Sequence, residues 1–276
     1  MEILQSDAVL CAEGDGMNDD EKEKYLLMAR LPTFRRKVEN SMRLISEALE
    51  KEGEWVLSFS GGKDSTVLAD LLSRCGWKGS GIYFWYSEFE NPEENTNQVA
   101  WANQNYSYCI KKIKCYGSYD AWEETGHFFV CPQTKEEKCA ARKCSSGFKN
   151  ASKGFMKSNG CKNIFMGLCK EESRARQINL NMRGNTYFVA SRGGYTCCPL
   201  SNWSGADIWA YIVSHDLPYL SIYDLAFWPR ERIRNELTVL YCSDLILRGE
   251  FTQYRMAYPD LFAKLQKKFP EVKGYV

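Results

Sequence analysis

From Pro32 onward the apolar residues fall into alternating patterns of helical and strand type. Phe34, Val38, Met42, Leu44, Ile45, Ala48 and Leu49 recur at helical spacing, which predicts a helix ending before Gly53. Glu54 to Ser60 (EWVLSFS) reads as a short buried strand, broken by Gly61-Gly62. Lys63 to Leu72 then carries an apolar stripe at Val67, Leu68, Leu71 and Leu72, the mark of a helix. Gly79 to Tyr86 is a second strand, followed by a polar loop through Pro92 and a helix to about Asn105. Tyr106 to Ile113 predicts a third strand and Asn163 to Leu168 a later one. Strands alternating with helices imply right-handed crossovers, hence an α/β fold with an open, mainly parallel sheet covered by helices on both faces. In such sheets ligands bind beyond the carboxyl ends of the strands, where the strand order reverses.

Charge refines this picture at two places. Residues 1–24 hold eight acids, from Glu2 to Glu23, against Lys22 and Lys24, with little periodicity; they are expected to form a weakly ordered arm. Residues 25–230 are expected to form the α/β domain and 231–276 a helical C-terminal extension. Residues 131–162 carry eight Lys or Arg and two Glu. Within that stretch Lys149, Lys153 and Lys157 share one helix face, beside Phe148 and Phe155, and read either as a solvated face or as a surface for nucleic acid or another polyanion.

The whole chain of 276 residues is close to neutral, with 36 Lys and Arg against 35 Asp and Glu. That balance argues against a protein that coats nucleic acid over its entire surface. No apolar run approaches the roughly 20 residues needed to cross a bilayer, and the N-terminal sequence lacks the basic and apolar regions of a secretory signal. A cytoplasmic location is therefore expected. Twelve cysteines then imply free thiols, a metal or cluster site, or sulfur-handling groups rather than disulfides.

The segment that carries chemistry is Ser60-Gly61-Gly62-Lys63-Asp64-Ser65-Thr66, between a strand and a helix. Two glycines let the backbone approach a charged ligand, and the helix N-terminus offers N–H groups and a positive dipole end to a phosphate. Lys63 adds a mobile cation, and the Ser60, Ser65 and Thr66 hydroxyls add donors. Asp64 would repel phosphate unless Mg²⁺ lay between them. The spacing is not that of a Walker A loop, which needs four residues between its first glycine and its Gly-Lys-Ser/Thr unit.

This loop closely resembles SGGxDS, the pyrophosphate (PP) loop of N-type ATP pyrophosphatases. Further matches narrow the resemblance to the phosphoadenosine phosphosulfate (PAPS) reductase family within that superfamily. Gly167 to Arg176 (GLCKEESRAR) resembles its G-I-R-x-D/E-E-S-x-x-R segment. Pro199 to Ile212 and Leu217 to Asp224 resemble its P-I/L-x-x-W-x-x-x-D-V/I-W-x-Y-I and P-x-x-x-L-Y-D stretches. Cys139 to Lys143 and Ser87 to Glu90 match more loosely, and the likeness runs from about Lys37 to Asp224. It implies an adenine nucleotide α-hydrolase-like, Rossmann-like fold that binds ATP and Mg²⁺. Lys63 and the loop amides, with Ser60, Gly61, Gly62, Ser65 and Thr66, would hold the β- and γ-phosphates, and Asp64 would help hold Mg²⁺. Gly167, Glu172, Ser173 and Arg176 would shape the nucleotide side, with the forked Arg176 guanidinium on a phosphate or sulfate. Lys63, Asp64 and Arg176 would be the catalytic groups.

Two departures from the family direct the functional reading. Sulfonucleotide reductases use a C-terminal cysteine in an E-C-G-I/L-H segment, whereas the last cysteine here is Cys242 in Leu-Tyr-Cys-Ser-Asp. Reductases also lack a complete SGGKDS loop, and this chain keeps it. Both facts favour cleavage of ATP at the α–β bond to adenylylate a second, unidentified substrate in sulfur metabolism or sulfur transfer. The alternatives are a reductase using a non-standard cysteine, and a non-catalytic nucleotide-binding regulator whose basic face meets a polyanion or partner subunit.

The remaining cysteines stay open at this level. Cys131, Cys139, Cys144 and Cys161 are candidate ligands for Zn or an iron–sulfur cluster, with Cys197 or Cys198 as further cluster ligands. Cys169 stands where the family has Arg. Ser204 and Asp207 suit a helix cap, Trp209 and Tyr211 suit the core, and His127 and His215 read as structural.

Overall fold

A computed structural model describes residues 16–225, 229–233 and 244–276, with the side chains of 244–248 left out. The described chain runs α1 (Asp19–Arg30), α2 (Pro32–Leu49), β1 (Trp55–Phe59), α3 (Lys63–Arg74), β2 (Ser80–Trp85), α4 (Glu93–Tyr106), β3 (Cys109–Lys114), α5 (Ser118–Thr125) and α6 (Lys135–Ser158). It continues with β4 (Asn163–Met166), α7 (Arg174–Arg183), β5 (Thr186–Val189), β6 (Gly194–Cys197), α8 (Gly205–Ser214), α9 (Asp244–Ala257) and α10 (Pro259–Lys268).

The six strands form one sheet in the order β3-β2-β1-β4-β6-β5. Every pairing is parallel except that between β5 and β6. β1 pairs with β2 on one side and with β4 on the other, Val56 meeting Ser80 and Ile164. The chain therefore winds outward from β1 to β3, then returns to the far side of β1 as β4. This reversal places the switch point between β1 and β4, where the connections leaving the two strands diverge and open a crevice.

Alternation along β1 divides the core into two layers, because successive side chains point to opposite faces of a strand. Trp55, Leu57 and Phe59 join Val67, Leu68 and Leu71 of α3 and Ile208, Trp209 and Tyr211 of α8. Val56 faces the other way, into a cluster with Ile82, Ile164, and Phe155 and Met156 of α6. Trp55 and Phe165 stack at 4.3 Å between ring centroids, tying β1 to β4. A separate cluster joins Phe251, Phe262 and Leu265 of the C-terminal helices to Trp122 and Phe128. The expected helices and first four strands are present, with β3 starting at Cys109 rather than Tyr106. The β5–β6 hairpin was not anticipated.

The acidic N-terminal stretch needs a correction. Asp19 to Lys24 belong to α1, capped by the Asn18 side chain, which accepts from the Glu21 N–H at 2.8 Å. Met17 and Tyr25 supply the apolar anchors that the charge count obscured, both being buried. Glu21 pairs with Arg230 at 3.3 Å and Tyr25 donates to Glu231 at 2.8 Å. The first fifteen residues and Cys242 lie outside the described residues.

Phe165 is fully buried between the Trp55 and Trp77 rings. Phe165→Ala is expected to cost about 3–5 kcal/mol in denaturant unfolding, whereas Phe188→Ala on the exposed edge strand costs under about 1 kcal/mol.

Candidate nucleotide site at the switch point

The loop leaving β1 is shaped by its own hydroxyls and by α4. Gly61 takes φ +76°, and a Cβ there would meet the Asn95 carbonyl at 3.0 Å. Asn95 in turn donates to the Ser60 carbonyl at 3.2 Å, so α4 pins the loop from the side. Ser65 Oγ accepts from the Ser60 N–H at 3.2 Å and donates to the Gly62 carbonyl at 2.9 Å. Gly62 is the N-cap of α3 and offers no side chain to its first-turn N–H groups. The positive end of the helix dipole is thus presented at the crevice with no capping side chain from Gly62, the arrangement that binds phosphate.

From β4, Gly167 closes against the same turn. A Cβ on Gly167 would lie 3.1 Å from the Asp64 carbonyl oxygen and 3.3 Å from the Ser65 nitrogen. A glycine lets the two loops approach this closely without displacing the backbone of the α3 turn. Beyond it, the Cys169 N–H donates to Glu172 Oε2 at 3.0 Å, and Arg176 donates to the same carboxylate. Ser173 caps α7 by accepting from the Arg176 N–H at 3.2 Å. Glu172 therefore holds both the strand exit and the guanidinium.

The charges meet at Asp64. Lys63 Nζ lies 2.7 Å from Asp64 Oδ2, and Cys169 Sγ lies 3.6 Å from Oδ1. The Lys63 side chain is only 8% exposed. Burial alone would lower its pKa, but Asp64, Tyr223 and Glu172 outweigh it and hold the ammonium above the usual lysine value. Burial, reinforced by the Asp64 and Glu172 charges, pushes the Cys169 thiol well above its ordinary range. Cys169 is therefore a neutral thiol beside a carboxylate, not a thiolate.

Two adjoining spaces share Asp64 and Glu172. The first, of about 320 Å³, lies over the ends of β1, β2 and β4; its walls include Ser60, Gly62, Ser65, Gly167, Glu172 and Arg176. Phe84, Tyr86, Phe148 and Met166 give it an apolar side suited to a purine ring. The second, of about 430 Å³, lies towards Lys63, Cys169, Glu171, Glu231 and Arg232.

Most of the expected nucleotide residues are brought together, with three qualifications. Thr66 is fully buried and its hydroxyl is spent on the Gly62 carbonyl at 3.1 Å. Gly61 and Ser173 shape the loop and cap α7 without lining either space. Asp64 is the one loop carboxylate available to Mg²⁺. A single carboxylate fits a cation held mainly by phosphates and water, and Glu172 adjoins the same two spaces.

Tyr223 is a site residue the sequence reading passed over: its hydroxyl accepts the Lys63 N–H at 3.3 Å. The signal was the Tyr beside Asp224, but nothing local pointed it at the loop. Asp224 itself pairs with Arg230. Ser204 and Asp207 form the expected reciprocal cap of α8, and Trp209 and Tyr211 are core. His127 bonds Glu137 at 2.7 Å and His215 stacks on Tyr211, both structural contacts.

The cysteine metal site is not supported. Cys131 lies in a loop, Cys139 and Cys144 lie on α6, and Cys161 follows its end. Five residues along a helix turn Cys139 and Cys144 to different sides, and the helix beyond Cys144 runs roughly 20 Å before Cys161. Among the described residues no three His, Cys, Asp or Glu side chains are grouped to hold a metal. Cys197 and Cys198 are buried thiols pushed up to about 11 and about 12, mainly by burial.

Comparison with known proteins identifies the family of the chain. A family profile of the phosphoadenosine phosphosulfate reductase domain matches residues 54–230. An uncharacterized protein of Methanocaldococcus jannaschii is 26% identical over 209 residues, 75% of this chain and 45% of the relative, so the chain spans less than half the length of that curated relative. The U34-tRNA thiolase NcsA from Methanococcus maripaludis, with its 4Fe-4S cluster, superposes with TM-score 0.50 at 14% identity, covering 87% of this chain and 79% of the thiolase. The PAPS reductase of Candida auris, in a phosphate complex, gives 0.46 at 15% identity over 74% and 89%. At these identities the structural likeness is one of fold. No described helix is long and apolar enough to cross a membrane.

Two measurements probe the site directly. Gly61→Ala is expected to lose about 1–2 kcal/mol from the positive φ alone and more from the Asn95 contact, so it should cost more than Gly76→Ala, whose φ is +77° in open space. In a pH 8 alkylation time course read by peptide mass, the exposed Cys109, Cys131 and Cys139 should react first. Cys169 should remain unmodified until unfolding.

Proposed function

The chain belongs to the phosphoadenosine phosphosulfate reductase family, and from that premise we propose that it binds ATP with Mg²⁺ and cleaves it between the α- and β-phosphates, adenylylating a second substrate. The observation that carries this reading is the complete Ser60–Thr66 loop, with α3 bearing no side-chain cap from Gly62 and the Lys63–Asp64 pair at the switch point. A ligand lacking a β,γ-pyrophosphate would leave that apparatus unused.

In the proposed reaction an oxygen of the acceptor attacks the α-phosphorus. The new O–Pα bond forms as the bond from Pα to the bridging oxygen breaks, and pyrophosphate leaves with the electron pair. The α3 amides and the Lys63 ammonium neutralise charge on the leaving pyrophosphate, and Arg176, held by Glu172, faces the transferring phosphate. Mg²⁺, when bound beside Asp64, supplies charge neutralisation across the phosphates. The purine rests on the apolar side formed by Phe84, Tyr86, Phe148 and Met166. The catalytic contribution is alignment and preorganised charge, because the ATP phosphates themselves supply the leaving group.

Reduction of a sulfonucleotide fits less well. It needs a thiolate at the substrate sulfur, and Cys169, the cysteine that lines this site among the described residues, is held neutral by burial and two neighbouring carboxylates. A place in sulfur transfer rests on the family and remains part of the proposal.

ATP binding is tested by titration calorimetry with Mg²⁺, and turnover by pyrophosphate and AMP release with sulfate, RNA or DNA as acceptor. The wild type should bind ATP and release pyrophosphate with its acceptor, and Lys63→Ala should lower the rate by about 10²–10³-fold. Failure of the wild type to bind ATP overturns the reading; sulfite release from a sulfonucleotide, abolished by Cys169→Ser, favours the reductase instead.

A further inference from the structure

A second concave surface lies on the other side of Phe148, between α6 and the turn of the β5–β6 hairpin, and encloses about 670 Å³. One wall carries Lys149, Lys153 and Lys157, successive at four-residue spacing along α6, and the other carries Lys162 and Arg192. All four lysines are exposed. Among the described residues none of them forms an ion pair, and the groove is lined by no carboxylate. Arg192 is fixed in place: it donates to the Lys162 carbonyl at 2.8 Å, the Tyr195 carbonyl at 2.9 Å and Thr196 Oγ1 at 2.7 Å. Between the walls, Phe148, Met156 and Val189 form an apolar floor.

We propose that this groove binds a single strand of nucleic acid and leads it to the mouth of the nucleotide cleft. Cations on two walls with an aromatic and thioether floor match a backbone of phosphates whose bases turn inward. Four residues of helix rise about 6 Å, comparable to the step between phosphates of an extended strand. A duplex keeps its bases stacked within the helix and would leave the apolar floor without a base to stack on it, and a flat bilayer surface does not enter a concave one. An acidic peptide would satisfy the lysines but leave the floor without a planar partner. Phe148 lines both the groove and the cleft and packs on Phe84 at 4.4 Å, so the two spaces meet at one side chain. Binding in the groove goes beyond the proposed ATP chemistry and stands without it.

The test is fluorescence anisotropy on the full chain without nucleotide, using labelled 12-residue RNA and DNA of mixed sequence and a polyglutamate of equal charge. Both strands should bind at low salt and polyglutamate much more weakly, the tighter of RNA and DNA naming the natural strand. The combined Lys149→Ala, Lys153→Ala, Lys157→Ala variant should bind at least about tenfold more weakly, with a log–log salt slope shallower by about two. A control carrying Lys135→Ala, Lys138→Ala and Arg142→Ala, exposed residues of α6 outside the groove, should bind as the wild type does. Circular dichroism melts confirm that both variants are folded. No binding at low salt, equal binding of polyglutamate, or equal loss in the control overturns the proposal. Because ATP is omitted, any of these outcomes leaves the reading of the cleft standing, and failure of ATP binding leaves the groove standing.

Discussion

The close approach of two backbone turns at the carboxyl edge of the sheet is the constraint on which the site depends. The turn after β1 and the turn after β4 meet where Gly167 packs on the first turn of α3, so closely that a Cβ would press on backbone atoms 3.1–3.3 Å away. Parallel strands direct all their carboxyl ends to one edge, and the reversal of strand order at β1 separates the chains that leave it. The same reversal flanks β1 with a strand on each edge, and α3 with α8 on one face and α6 on the other cover it, so the loop is mounted on an enclosed central strand. Its position is therefore fixed by the two core layers beneath it rather than by the loop alone.

That rigidity lets opposite charges be held out of water without being exhausted by one another. Lys63 is buried, yet its ammonium keeps its charge because Asp64, Tyr223 and Glu172 favour the protonated form. Glu172 serves the strand exit and Arg176 at once, so one carboxylate sets the position of groups on both connections. Cys169 occupies the side of Asp64 away from Lys63, where a second cation would compete for the same carboxylate. A neutral thiol leaves Asp64 with negative charge to offer a divalent cation. The departure from the family's arginine at this position thus has a local electrostatic consequence.

Helix α6 links this site to the rest of the molecule. Its apolar side, with Phe155 and Met156, covers one face of the sheet beside Val56, Ile82 and Ile164. Phe148, two turns before Phe155, reaches the nucleotide cleft, while the lysines at 149, 153 and 157 point into solvent along the groove. One element therefore contributes to core, cleft and basic surface by virtue of its 3.6-residue repeat.

Local pattern by itself determined the alternation of strands and helices, the parallel sheet and the loop, because period-two and period-3.6 burial and a Gly-Gly break are written in consecutive residues. The Ser204–Asp207 cap was legible for the same reason, since its partners are three residues apart. Contacts between distant segments were not: Tyr223 reaches Lys63 across 160 positions, and Met17 and Tyr25 anchor an acidic stretch that composition alone reads as an arm. The cysteines show the limit most clearly. Their spacing permits a cluster, but the straight rise of α6 separates Cys139, Cys144 and Cys161, and only the folded helix decides that. Residue types in sequence state which chemistry is available; the parallel pairing of β1 with β4 decides which of those residues share a site.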